Sequence, residues 1–156
     1  MRITPGQSMD RFKQDNFQRI HAGKVFPKVE PMEQSVCEEV RKQVAVHLGG
    51  NPTQTGTELV REIVEEAVPI PGLDANSDDF QILRVLDGLG FRHTEHVFLN
   101  WGQFDELDRI GLRDLSEHFN DLWYPHSDDL EVIDLESGWI LSVRHDGVVS
   151  VLRFLP

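Results

Sequence analysis

The order of helix-like and strand-like segments predicts an α+β fold, with N-terminal helices followed by β-α-β-β-β. The sheet is expected to be small, mostly antiparallel and covered on one face by helices. Two observations support this prediction. Residues 31–89 carry apolar side chains at the three- and four-residue spacing of amphipathic helices. Residues 96–101 and 139–154 alternate in polarity, and Asp146-Gly147 within the second segment indicates a C-terminal β-hairpin.

The length of 156 residues predicts a single domain, with residues 1–30 as an N-terminal arm and residues 31–156 as the globular body. Apolar residues at Met9, Phe12 and Phe17 suggest a short helix within the arm. Periodicity in the arm is otherwise weak, and prolines and glycines interrupt it. We therefore expect the arm either to pack on the body or to fray.

Three helices are expected in the first part of the body. The first covers residues 31–48, with Pro31 in its first turn. The second covers residues 57–67, with Thr57 as its N-cap. The third covers residues 80–89, although its β-branched side chains leave a strand as the alternative.

The C-terminal part is expected to supply the sheet. Residues 96–101 and 130–133 are predicted strands, and residues 104–123 are a predicted helix with Pro125 preventing its continuation. In the hairpin, a two-residue Asp-Gly loop would pair Val143 with Ser150.

That register divides the hairpin side chains between a core face and an outer face. Trp139 would face the core opposite Phe154, and Trp101 is also expected in the core as a strand residue. The outer face would be mixed in polarity, with Ile140, Ser142, Arg144, Val149, Val151 and Arg153. Its apolar members Ile140, Val149 and Val151 would allow the hairpin to pair with a second copy.

Charge is distributed unevenly along the chain. The net charge is −12; residues 1–42 carry +2, and residues 43–156 carry −14. A body this acidic repels nucleic-acid phosphates and attracts basic proteins. We therefore expect no nucleic-acid partner.

The remaining composition suggests a cytoplasmic protein. Cys37 is the single cysteine, which excludes an internal disulfide and is typical of a reducing compartment. The apolar runs are too short to cross a bilayer, so no membrane association is expected. Residues 1–16 are charged and polar, unlike a secretory signal.

One set of residues could support metal or acid–base chemistry. Imidazole and carboxylate groups are common metal ligands and proton carriers, and the set comprises His126, Asp128, His145 and Asp146. Their spacing matches no established metal motif. Cys37 is flanked by two glutamates that disfavour a thiolate, and no glycine-rich loop carries the lysine of a P-loop. We expect no cofactor, and a metal-dependent hydrolase stays open as the alternative function.

A second set of residues suggests a contact surface around the turn at Pro125. Tryptophan and tyrosine give large contact areas with few rotatable bonds, and nearby carboxylates favour a basic partner. The candidate partner-binding residues are Trp123, Tyr124, His126, Asp128, Asp129 and Glu131.

The C-terminal half resembles a family of small acidic bacterial proteins of unassigned function. The resemblance covers residues 95–153 and rests on Val97-Phe-Leu-Asn-Trp101, Phe104-Asp-Glu-Leu-Asp108, Leu122-Trp-Tyr-Pro125 with Ser127-Asp-Asp129, and Trp139-Ile-Leu-Ser142 with His145-Asp-Gly147. The chain is also similar in type to bacterial toxin-immunity proteins, which are small acidic cytosolic α+β domains that block a toxin. That similarity implies a protein partner and no catalysis.

Together these features predict a non-enzymatic acidic protein-binding module, with an immunity protein that neutralises a basic toxin as the most specific version. The partner is expected to be another protein, and the chain to be a monomer or a small homo-oligomer. A structural subunit of a homo-oligomer, joined through the outer hairpin face, is the further alternative.

Overall fold

The computed structural model describes residues 11–155, which form six helices and seven strands. The helices are α1 (Arg11–Ile20), α2 (Gln34–His47), α3 (Gly56–Glu66), α4 (Ile82–Leu89), α5 (Leu112–Glu117) and α6 (Phe119–Leu122). The strands are β1 (Val29–Pro31), β2 (Val68–Pro69), β3 (His96–Asn100), β4 (Leu107–Gly111), β5 (Leu130–Asp134), β6 (Trp139–Val143) and β7 (Val149–Arg153). The α+β class is confirmed. No helix within residues 11–155 is long and apolar enough to cross a membrane.

The strands form one sheet in the order β1-β4-β3-β5-β6-β7-β2, and every neighbouring pair is antiparallel. Helices cover both faces, so the expectation of a single covered face is wrong. Leu99, Val132 and Leu141 pack with α4, α5 and α6, whereas Ile133 and Ile140 pack with α2 and α3. Every residue of β5 and β6 is buried, which explains why both sides of these central strands carry apolar side chains.

Two predicted helix starts are displaced. Pro31 belongs to β1 and not to the first turn of α2, which begins at Gln34 after the N-cap residue Glu33. The N-cap of α3 is Thr55 and not Thr57; its hydroxyl accepts a hydrogen bond from the N–H of Glu58. The region 80–89 is a helix rather than a strand, and it starts at Ile82.

The helix predicted over residues 104–123, with a candidate break at Gly111, is wrong in the part up to Gly111, which contains strand β4. Leu107 and Ile110 are three residues apart, which is also a helical spacing, but in β4 they lie on opposite faces of the sheet. Both faces are covered, so both side chains are buried. Gly111 ends the strand, and the remaining residues form α5 and α6.

The hairpin is confirmed, but its predicted register is wrong by one residue. Arg144 N–H donates to the Val148 carbonyl, and Gly147 N–H donates to the Arg144 carbonyl. The loop therefore has three residues and ends on Gly147 at φ 93°. Val143 pairs with Val149 and not with Ser150.

The supposed outer face is interior for two reasons: α2 and α3 cover the side of the sheet that carries Ile140, and the one-residue shift places Val149 and Val151 on the opposite, also covered, side. Ile140 and Val149 are buried, and Val151 is half-buried. The hairpin therefore lacks the apolar outer surface on which pairing with a second copy was based. Trp139 is buried as expected, and its Nε1 donates to the carbonyl of Arg92 at 2.8 Å.

The described part of the arm lies against the body. Phe17 of α1 is buried and meets the rings of Phe26 and His118, at centroid distances of 5.3 and 5.7 Å. Met9, the first apolar residue of the predicted helix, lies outside the described residues.

Candidate functional site

The Pro125 turn lies at one end of the sheet, together with two other loops. Asn100 is paired with both Leu107 and Glu131, and Val143 is paired with both Leu130 and Val149. These pairings bring together the loops 101–106, 123–129 and 144–148, which we call the loop edge. The loop edge contains all the candidate contact residues except Glu131, which lies in the adjoining strand β5.

The 123–129 loop is closed by Asp128. Its Oδ2 accepts the N–H of Tyr124 at 2.8 Å, and its own N–H donates to the Tyr124 carbonyl at 3.1 Å. On the buried side of the loop, Trp123 Nε1 donates to the Asp128 carbonyl at 3.0 Å. His126 adopts φ 69°, which lets its N–H donate to the His145 carbonyl at 2.7 Å. The loop is thus fixed in shape and tied to the hairpin tip.

Lys13 of α1 reaches the loop edge and is almost completely buried there, at 7% exposure. Its ammonium nitrogen lies 2.7 Å from Asp128 Oδ2, 4.0 Å from the centroid of the Trp101 ring and 5.2 Å from that of Tyr124. A carboxylate with two aromatic faces is an arrangement that binds ammonium groups. Asn16 adds a hydrogen bond of 3.0 Å from its Nδ2 to the Tyr124 hydroxyl.

A buried polar network supports the loop edge from below. Glu131 is 2% exposed; its Oε1 accepts Asn100 Nδ2 at 2.7 Å, and its Oε2 contacts the guanidinium of Arg144. Asn100 Oδ1 in turn accepts the N–H of Phe104 at 2.9 Å. This network links β3, β5 and the hairpin, so it fixes the three loops relative to one another.

Asp129 and His145 form an exposed pair beside this network. Asp129 Oδ1 accepts the backbone N–H of His145 at 2.8 Å and lies 3.0 Å from its Nδ1. Partial burial opposes ionisation, but these hydrogen bonds and the nearby charge of Arg144 lower the pKa of Asp129 below its ordinary value. For Arg144, burial lowers the pKa of the guanidinium, although the negative charges of Asp129 and Asp146 act to raise it. Asp129 therefore carries its negative charge at neutral pH.

The structure separates the six candidate contact residues into two groups. Trp123 is 1% exposed and stacks on Phe119, and Glu131 is buried in the network, so neither side chain is available for direct contact with a partner. Trp123 and Glu131 are therefore removed from the expected contact surface. The side chains of His126 and Asp129 are exposed, and those of Tyr124 and Asp128 are half-buried beneath α1.

The residues proposed for metal chemistry do not come together as a donor set. Asp128 is engaged by Lys13, Asp146 Oδ1 accepts the N–H of Val148 at 3.0 Å, and His145 pairs with Asp129. Within residues 11–155, no group of three or more His, Cys, Asp and Glu side chains is arranged to hold a metal ion. Two open clefts, of about 340 and 490 Å³, are lined by no residue of the loop edge.

Cys37 has the surroundings of a structural thiol. It is fully buried, and its sulfur lies 3.4 Å from the backbone nitrogen of Leu107, which donates to it. Burial raises the pKa of the thiol, and the carboxylates of Asp105 and Asp108 act in the same direction. The site is therefore unfavourable for a thiolate nucleophile.

Sequence reasoning missed the roles of Lys13 and Arg144 in this region and misjudged the burial of Trp101. Lys13 shares the inward side of α1 with Phe17, four residues later, so a charged residue on a buried helical face was a signal that could have been noticed. Trp101, expected in the core, is only partly buried, and Lys13 covers its ring. Arg144 was placed on an outer face, where its pairing with Glu131 could not be foreseen.

No protein-family model, curated protein or solved structure matches the chain.

Proposed function

We propose that the protein is a non-enzymatic, acidic binding module that holds a basic protein partner at the loop edge. The observation that best supports this function is the burial of Lys13 between Asp128 and the rings of Trp101 and Tyr124. The loop edge thereby already binds a lysine of its own chain, with the chemistry that a basic partner would require.

The charge of the body supports the same function. Residues 43–156 carry seven arginines, no lysine and 21 carboxylates. Asp129 and Asp146 remain exposed at the loop edge beside His126 and His145. Fixed carboxylates on a rigid scaffold speed the capture of a positively charged surface and discriminate against acidic proteins.

Neutralisation of a basic bacterial toxin is the most specific form of this proposal. It rests on the similarity in type to toxin-immunity proteins and on the resemblance of residues 95–153 to small acidic bacterial proteins, and it places the chain in the cytoplasm. The genes beside that of this chain are the first place to search for such a toxin, and a basic toxin found there is the first partner to measure. Coexpression should restore growth to cells that make that toxin.

Charge-matched variants test the binding surface. Basic proteins retained by the immobilised protein are purified and measured singly against the wild type and Asp129→Asn/Asp146→Asn. The control is Glu65→Gln/Glu66→Gln, which makes the same change in charge at an exposed end of α3. We expect about tenfold weaker binding for the loop-edge variant and nearly unchanged binding for the control.

The dependence of affinity on salt concentration shows whether charge contacts contribute to binding. Affinity of the wild type should fall as ionic strength rises, because the loop-edge carboxylates are exposed to screening. Equal weakening by both double variants would indicate binding to charge alone and would contradict a dedicated surface. Binding that responds neither to salt nor to the loop-edge substitutions would remove the electrostatic basis of the proposal.

A further inference from the structure

The binding site of Lys13 accommodates an ammonium group on a flexible stem. Asp128 supplies the hydrogen-bonded charge at 2.7 Å, and the Trp101 and Tyr124 rings supply two aromatic faces. Asp128 is itself held in place by the N–H of Tyr124. The site therefore belongs to the rigid body, whereas the lysine that fills it belongs to the arm.

The attachment of α1 to the body differs from that of the sheet elements. All backbone–backbone hydrogen bonds of residues 11–28 in the described chain are local to that segment, whereas β1 is joined to β4 by strand pairing. Residues 21–28 contain no helix or strand, and Gly23 among them adopts φ 84°. Departure of α1 would thus break side-chain contacts and leave the sheet intact.

The apolar contribution of α1 to the core is small. Phe17 is its one buried apolar side chain, and Phe12 and Ile20 are 60% and 65% exposed. Its described polar contacts join Lys13 to Asp128, Asn16 to the Tyr124 hydroxyl, and His21 to Asp121 at 3.1 Å. The exposed Phe12 ring meets the Tyr124 ring edge-on, with the centroids 6.1 Å apart. A short helix that buries one apolar ring and is otherwise attached through side chains is exchangeable for another helix that makes the same contacts.

We propose that α1 is an exchangeable occupant of this site, and that the basic partner inserts a lysine of its own helix in place of Lys13. This inference rests on the proposed function and adds the chemistry of recognition. The partner helix carries a lysine and, four residues later, an aromatic side chain, because Lys13 and Phe17 show that this spacing fits the site. Displacement of α1 then acts as a threshold that weakly basic proteins do not overcome.

A peptide of residues 11–24 of this chain tests the exchange in trans. Its binding is measured by calorimetry and by tryptophan fluorescence, against the wild type, Lys13→Ala and the control Lys24→Ala, which removes an exposed lysine. We expect the peptide to bind Lys13→Ala about tenfold more tightly than it binds the wild type or the control, since the internal competitor is lost. The same peptide with alanine at position 13 should lose that gain.

Two further variants allow for the case in which Lys13→Ala is poorly folded or binds the peptide elsewhere. Lys13→Gln keeps most of the side chain but loses the charge, and it should show the same gain in peptide affinity. Asp128→Asn in the Lys13→Ala background should abolish peptide binding. Equal binding by the wild type and Lys13→Ala, or a gain accompanied by dimers that exchange α1 in sedimentation, would overturn the inference.

Binding measurements with the basic partner distinguish a failure of this inference from a failure of the proposed function. A basic partner that depends on Asp129 and Asp146 but binds Lys13→Ala no more tightly than the wild type would refute the exchange alone. Loss of the dependence on Asp129 and Asp146 would refute the proposed function, whatever the peptide does.

Discussion

Replacement of Arg144 by alanine should destabilise the protein strongly, because it leaves the Glu131 carboxylate buried without its cation. Glu131 is 2% exposed, and Asn100 gives it one hydrogen bond that does not neutralise its charge. Breaking one partner of a buried pair costs about 3–5 kcal/mol. The Arg144 side chain is 19% exposed, so water can enter after the change, and we expect about 3 kcal/mol.

A loss of this size corresponds to a fall in melting temperature of about 6–12 °C for a chain of this length. Urea unfolding followed by tryptophan fluorescence measures the free energy, and calorimetry measures the melting temperature. The matched variant is Arg144→Ala/Glu131→Gln, whose neutral amide still accepts the hydrogen bond from Asn100. It should recover at least about half of the loss.

The double variant decides whether the buried charge causes the loss. If it is no more stable than Arg144→Ala, the loss comes from the packing of the arginine stem. A loss below about 1 kcal/mol for Arg144→Ala would mean that the pair is solvated and that the network does not hold the loop edge.

Three further predictions concern other parts of the fold. Cys37 should react with iodoacetamide at pH 8 only after denaturation, because burial hides the sulfur and raises the pKa of the thiol; rapid labelling of the native protein would contradict its core position. Gly56→Ala should cost at least about 2 kcal/mol in urea unfolding, since a Cβ there would lie 1.7 Å from the Gln103 carbonyl oxygen, whereas Gly88→Ala in an open helical position should be neutral or stabilising. The pKa of Asp129 is lower in the folded than in the unfolded chain, so its stabilising effect is complete above about pH 4 and is lost as the pH falls further. The stability difference between the wild type and Asp129→Asn should therefore shrink between pH 7 and pH 3, and a constant difference would contradict the lowered pKa.

Local pattern was sufficient where composition or spacing fits only one type of element. The strands at residues 96–100 and 130–134 were predictable from their β-branched and aromatic side chains, and the helices α2 and α3 from the spacing of their apolar residues. It failed at β4, where burial on both sheet faces gives Leu107 and Ile110 a spacing that a helix shares. It also failed at Asp146-Gly147, which fits either a two-residue loop or the observed three-residue loop.

The site was only half predictable for a related reason. The position of the turn follows from Pro125, but the residue that fills the site is Lys13, 115 positions from Asp128. Pairing over such a separation is set by tertiary packing and leaves no periodic signal. Only the placement of a lysine on the buried face of a short helix pointed to it.

The acidity of the body overstates the surface that remains for a partner. Asp128 is engaged by Lys13, Glu131 by Arg144, and Asp134 accepts the backbone N–H of Thr94 at 2.8 Å. These carboxylates belong to the fold, and their removal should reduce stability before it reduces affinity. While α1 is in place, the carboxylates that a partner can reach are those that the fold leaves exposed beside the occupied lysine site. Charge count along the sequence is therefore a poor guide to the contact surface, and a substitution at Asp129 should reduce affinity more than an equal change of charge on α3.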